Sequence, residues 1–115
     1  MAHDIRAQLR FLSISAQKVR LVVDLVRGKD AVQALDMLRY APQGAAGPVM
    51  KLLSSAVANA EENFGVSRED LFVAKIYADE APTRKWRRFG ARGRFKPLLR
   101  RSSHVTVVLR ERESA

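Results

Sequence analysis

Few residues in this chain could serve as acids, bases or ligands, and none are spaced to work together. Asp79 and Glu80 are neighbours. Adjacent residues of an extended strand point to opposite faces, so these two make a poor general acid–base pair. His3 and His104 stand near opposite ends of the chain and there is no cysteine, so no spacing matches a metal site. His104 follows Ser102 and Ser103, but the sequence places no carboxylate to orient it as a hydrolytic triad requires. Gly28-Lys29 lacks the glycine-rich run that precedes the lysine of a phosphate-binding loop. The chain reads as a non-enzyme that uses no cofactor and no metal.

The chemistry that is present is that of arginine. The stretch RKWRRFGARGRF, Arg84 to Phe95, holds six basic residues, three large aromatics, two glycines and no acid. Arginine forks match phosphate oxygens two at a time, and Trp86, Phe89 and Phe95 are suited to stacking on bases. The same composition also fits a membrane interface, a nuclear localisation signal or a solvated loop. The loop reading is disfavoured because like charges at this density repel one another. A second basic set, Lys18, Arg20, Arg27 and Lys29, surrounds the first helical segment. It fits either a phosphate-contacting edge or a solvated helix face. A helix–turn–helix over 15–40 is a weaker reading, because the second helix has few polar residues suited to base edges.

These residues need a scaffold, and the composition supplies one. The chain has 115 residues, 47% apolar, which suits one folded domain with a modest core. Its formal net charge is +9, from 21 basic and 12 acidic residues. Nine of the basic residues lie within 84–101 with no acid among them, so the other 12 are matched by the 12 acids elsewhere. The excess charge is therefore one polyanion-binding element attached to an otherwise neutral domain. The N-terminus lacks the apolar stretch of a signal peptide, and no run approaches the ~18 residues of a membrane span. These features read as a soluble cytosolic protein.

Period-two alternation of Ile5, Ala7, Leu9 and Phe11 predicts a strand over 3–12. Ser15 is the expected cap of a first helix with Val19, Val22, Val23 and Val26 inward and Gly28 as its stop. Asp30 is the expected cap of a shorter helix carrying Ala31, Ala34, Leu35 and Leu38, which Pro42 ends. A third helix is expected from about Gly44 to Asn63. Strands follow over 71–80 and 103–110. In the first of these, Phe72, Ala74, Ile76 and Ala78 are expected on one face, opposite Leu71, Val73, Lys75 and Tyr77. The intervening basic segment would be a long hairpin turning at Gly90–Gly93, with arms reaching on the order of 30 Å at ~3.3 Å per residue. Nothing in 84–101 offers an apolar face to fold it back, so it needs an external partner.

Four separated motifs carry a family resemblance. Ser15–Lys29 (SAQKVRLVVDLVRGK), Ser55–Asn63 (SAVANAEEN), Asp79–Pro82 (DEAP) and Arg100–Leu109 (RRSSHVTVVL) occur in that order across nearly the whole chain. Together they resemble the bacterial type of ribosomal protein twenty-two of the large subunit. The resemblance implies an α+β fold: three helices on a three-stranded antiparallel sheet, with a long protruding basic β-hairpin. Residues 1–115 would form a single domain, globular over 1–80 and 102–112, with the hairpin over 81–101. It implies a structural constituent of the large ribosomal subunit in the cytoplasm. Such a protein binds 23S rRNA across several domains and acts early in subunit assembly. Its globular part would lie near the mouth of the polypeptide exit tunnel, with the hairpin lining the tunnel wall. Partners would be 23S rRNA, neighbouring large-subunit proteins and, in passing, the nascent chain, with no membrane.

The expected rRNA-binding residues are Lys18, Arg20, Arg27 and Lys29 on the first helix. On the hairpin they are Arg84, Lys85, Trp86, Arg87, Arg88, Arg92, Arg94 and Lys96. On the return strand they are Arg100, Arg101, Ser103 and His104. The expected tunnel-lining tip is Arg88, Phe89, Gly90, Ala91, Arg92, Gly93 and Arg94. The chain departs from the family pattern at Ala81, where glycine is usual, at Trp86, near a usual arginine, and at Phe89-Gly90, which replaces a Pro-Arg pair. The competing reading is a cationic membrane-active or chaperone-like ribbon, which would have no use for the basic set on the first helix.

Overall fold

In the computed structural model, residues 4–82, 84–89 and 95–112 are described, with 84–89 and 95–100 described as paired backbone. The elements run β1 (Asp4–Leu12), α1 (Ala16–Val26), α2 (Ala31–Arg39), α3 (Ala46–Phe64), β2 (Leu71–Glu80), β3 (Arg84–Phe89), β4 (Phe95–Arg100) and β5 (Ser103–Glu111). One antiparallel sheet has the order β1-β5-β2, and β3 and β4 pair in a second, two-stranded sheet. This is the α+β architecture expected. The register of β3 with β4 runs from Arg84 opposite Arg100 to Phe89 opposite Phe95. The expected hairpin tip, 90–94, lies outside the described residues.

Helical spacing decides what is buried. Val19, Val22, Val23 and Val26 of α1 are fully buried, as are Val49, Leu53, Ala56 and Ala60 of α3. The helices lie on one face of the sheet, α1 against β2 and α3 against β1. They meet Ile5, Val73, Ile76, Val105, Val107 and Leu109 from the strands. Small residues on α3 (Ala46, Ala56 and Ala60, all buried) let neighbouring elements approach closely. Being central, β5 needs apolar β-branched residues, and Val105 and Val107 are completely enclosed. No described helix is long and apolar enough to cross a membrane.

The helix ends fall close to expectation, but their caps differ. Ser15 and Asp30 occupy the N-cap positions of α1 and α2 in extended conformation, yet neither side chain bonds to the helix start. Asp30 instead accepts from Arg112, Nε to Oδ1 at 2.7 Å. Arg112 lies beyond β5, with its guanidinium 4.7 Å from the centre of the Phe72 ring. The third helix starts at Ala46 rather than Gly44, and Gly65 ends it in the left-handed conformation, at φ 65°.

Both outer strands carry a bulge. In β2 the register passes from Val73 opposite Leu109 to Lys75 opposite Val108, so Ala74 is an extra residue. This corrects the uninterrupted alternation expected for 71–80. Leu71 and Val73 share the buried face with Ile76 and Ala78, because one inserted residue switches the side-chain parity of the strand. In β1, Leu9 opposes Val105 and Leu12 opposes Ser103. Arg10 and Phe11 therefore face the single residue His104.

Candidate nucleic-acid interface

The N-terminal half of α1, the loop before it, the start of α3 and the root of the ribbon surround one open concavity of about 1600 Å³. Its wall includes Phe11, Lys18, Leu21, Glu80 and Arg101. Lys18 and Arg101 are exposed, and Glu80 is the single acid of the lining, so the wall is net cationic. Two helix starts add to this. Ser15 and Ala16 begin α1 on the lining, and Gln43, Gly44 and Ala45 lead into α3 there. Neither helix start receives a side-chain capping bond. Amide groups and the positive end of the helix dipole favour anions at such places.

The basic set on the first helix divides in two. Lys18 and Lys29 are exposed. Arg20 and Arg27 turn instead toward the free edge of β2. Arg20 donates from Nε and Nη2 to the Ala78 carbonyl at 3.3 and 3.0 Å. Arg27 does the same to the Ile76 carbonyl at 3.3 and 2.9 Å, while its Nη1 pairs with Asp24 at 2.6 Å. Farther along this edge, the Gly28 amide donates to the Val73 carbonyl at 3.0 Å, and the Val73 amide donates to the Lys29 carbonyl at 2.9 Å. The φ of +78° at Gly28 turns the chain out of α1 and onto β2, a conformation that glycine adopts without strain. Arg20 and Arg27 thus fix α1 to the sheet, a role the sequence reading did not assign them.

The return strand is also more structural than expected. Arg101 is exposed, whereas Ser103 is completely buried and its hydroxyl has no hydrogen-bond partner. Position 103 shares the inward parity of Val105 and Val107, which places its side chain inside the globular part. His104 is half-buried, and its Nδ1 accepts the Phe11 amide at 3.0 Å. Phe11, missed as a site residue, is 61% exposed. Of the ribbon residues, Arg84, Lys85, Trp86, Arg87 and Arg88 belong to β3, and Lys96 and Arg100 to β4. Arg92 and Arg94 fall outside the described residues. Among the described residues no group of three His, Asp or Glu gathers as a metal site.

Comparison with known proteins bears on what this cationic surface serves. The family model for ribosomal protein L22p/L17e matches residues 7–110. The large ribosomal subunit protein uL22 of Thermoanaerobacter sp. (strain X514) is 49% identical over 108 residues, 94% of this chain and 97% of its own length. The protein of the same name from Thermoanaerobacter pseudethanolicus (strain ATCC 33223 / 39E) matches equally, at 49% over the same coverage. The family match and the identity over nearly the full length of both chains agree: the chain belongs to the ribosomal protein L22p/L17e family.

Proposed function

We propose that this structural protein of the large ribosomal subunit binds 23S rRNA through two connected surfaces. One is the ribbon, and the other is the cationic concavity at its root. The carrying observation is the concentration of nine basic residues and no acid within 84–101, a segment whose described strands, β3 and β4, pair with each other and not with the main sheet. An isolated two-stranded ribbon is marginal in water, whereas folded RNA offers phosphate on every side. In this reading 1–115 is a single domain, globular over 1–80 and 102–112. The ribbon, 81–101, lines the exit tunnel, and the globular part sits near the tunnel mouth beside neighbouring proteins. Contacts to several rRNA domains would let the protein join them early in assembly.

Phosphates meet Lys18 and Lys29 on the globular part and Arg101 at the root of the ribbon, with Arg20 and Arg27 using donors beyond those aimed at β2. Binding of the full-length protein to 23S rRNA should fall linearly on a log–log plot against salt, with a slope of roughly 0.7–0.9 for each neutralised phosphate. Lys18→Gln with Lys29→Gln should lower that slope by about one to two. A salt-insensitive affinity would rule out phosphate contact as its source. An unchanged slope in the double variant would remove these lysines from the interface.

A further inference from the structure

Phe11 is held in a position that packing of the core does not explain. Its φ is +56°, and it is the single non-glycine residue with positive φ among the described residues. A bulky side chain rarely adopts this conformation unless its surroundings impose it. Here they do so without burying the ring, which remains 61% exposed. The bulge of β1 sets Arg10 and Phe11 opposite His104. The Phe11 amide donates to His104 Nδ1 at 3.0 Å, and the two rings meet edge to face, with centroids 4.7 Å apart and planes at 88°. A bulge of this kind re-aims a side chain, and this one aims phenylalanine at the wall of the cationic concavity. Accepting that amide requires the neutral imidazole with its proton on Nε2.

The surroundings select the occupant. Lys18 and Arg101 line the same concavity, opposed by Glu80 as its single acid, and Leu21, 62% exposed, lies beside them. An exposed aromatic face among cations matches a nucleobase with its flanking phosphates. We propose that Phe11 is a preset stacking platform for an unpaired base of large-subunit rRNA, with Lys18 and Arg101 meeting the adjoining phosphates. His104 is its positioning residue. The proposal rests on the rRNA-binding reading above and adds to it a residue that recognises bases rather than charge.

The test measures binding of the full-length protein to 23S rRNA across a salt series. Phe11→Gly adopts the same φ freely and removes only the ring, and Phe11→Leu keeps apolar bulk without a π face. Both should bind more weakly, by roughly 5- to 150-fold for the glycine variant, with the salt slope unchanged because no phosphate contact is lost. Phe11→Tyr should bind as the wild type does. His104→Ala should weaken binding in the wild-type background and have no further effect in Phe11→Gly. Wild-type affinity in Phe11→Gly or Phe11→Leu overturns the stacking role. A loss from His104→Ala that persists in Phe11→Gly overturns the positioning role, because His104 would then contact RNA itself. If the wild-type protein shows no salt-dependent binding, the rRNA reading itself fails, a result distinct from either.

Discussion

Arg20 on α1 and Arg27 at its C-terminal cap stand seven residues apart and reach carbonyls two residues apart on β2. An exposed sheet edge offers unpaired carbonyls and invites association with other chains, and here two guanidinium forks and the backbone of 28–29 occupy it. Charge-assisted bonds of this kind contribute about 1.5–3 kcal/mol when shielded. The Arg27 side chain is 48% exposed, so solvent screening reduces its share to about 1 kcal/mol. Arg27→Gln should therefore lower the free energy of unfolding by about that amount in urea titration and promote self-association, measured by light scattering. A residue that served phosphate alone would leave both unchanged. The sequence places these arginines on the right helix, but their direction depends on which strand packs beside it. The inward direction of Ser103 was hidden for the same reason: its motif marks the return strand, and only the register with Leu12 and Glu80 shows its parity.

At the ends of β1 and β5, Asp4 meets Arg110 across the register, Nε to Oδ1 at 2.7 Å and Nη2 to Oδ2 at 3.2 Å. The hydrogen bonds from Arg110 are the main cause that holds the Asp4 carboxyl below its usual range. A carboxyl whose pKa is depressed in the folded state contributes stability that is present above its unfolded value and lost as pH falls through its folded value. The wild type should accordingly lose this contribution below about pH 3.9, whereas Asp4→Asn lacks it at neutral pH and shows a shallower acid limb. Denaturation midpoints between pH 5 and pH 2 would reveal the difference, and parallel limbs would exclude the pair as a source of stability. Elements of this size were legible in the sequence, because valine spacing in α1 and alternation in β1 are enforced by burial. The bulges were not, since Ala74 fits an uninterrupted strand until the cross-strand register of Val73 and Lys75 is known. Phe11 escaped notice because it continues the alternation of Ile5, Ala7 and Leu9, and the bulge that interrupts this pattern is visible only in the register with β5.

The molecule as a whole is too long for its size. A compact domain of this length would have a radius of gyration of about 13 Å, whereas the value here is 17.4 Å and the principal extents are 68 × 24 × 19 Å. Among the residues whose burial is described, the buried cluster draws mainly on β1, the three helices, β2 and β5, so anchoring and reaching can be tested separately. Deleting Arg88–Arg94 removes the end of the ribbon while leaving those elements and the concavity formed by Phe11, Lys18 and Arg101. The variant should unfold at the same urea concentration as the wild type, because Arg88–Arg94 lie outside β1, the three helices, β2 and β5, which supply most of the described buried cluster. If the globular part supplies most of the specific recognition, the variant should still sediment with large subunits from cells. The change should appear in the exit tunnel, as a wider bore near the missing end in cryo-EM maps and altered passage of nascent chains that pause there. Exclusion of the variant from subunits would make the ribbon's end an assembly determinant and overturn this division of labour. Incorporation with unchanged tunnel density would mean that the ribbon lies elsewhere in the RNA.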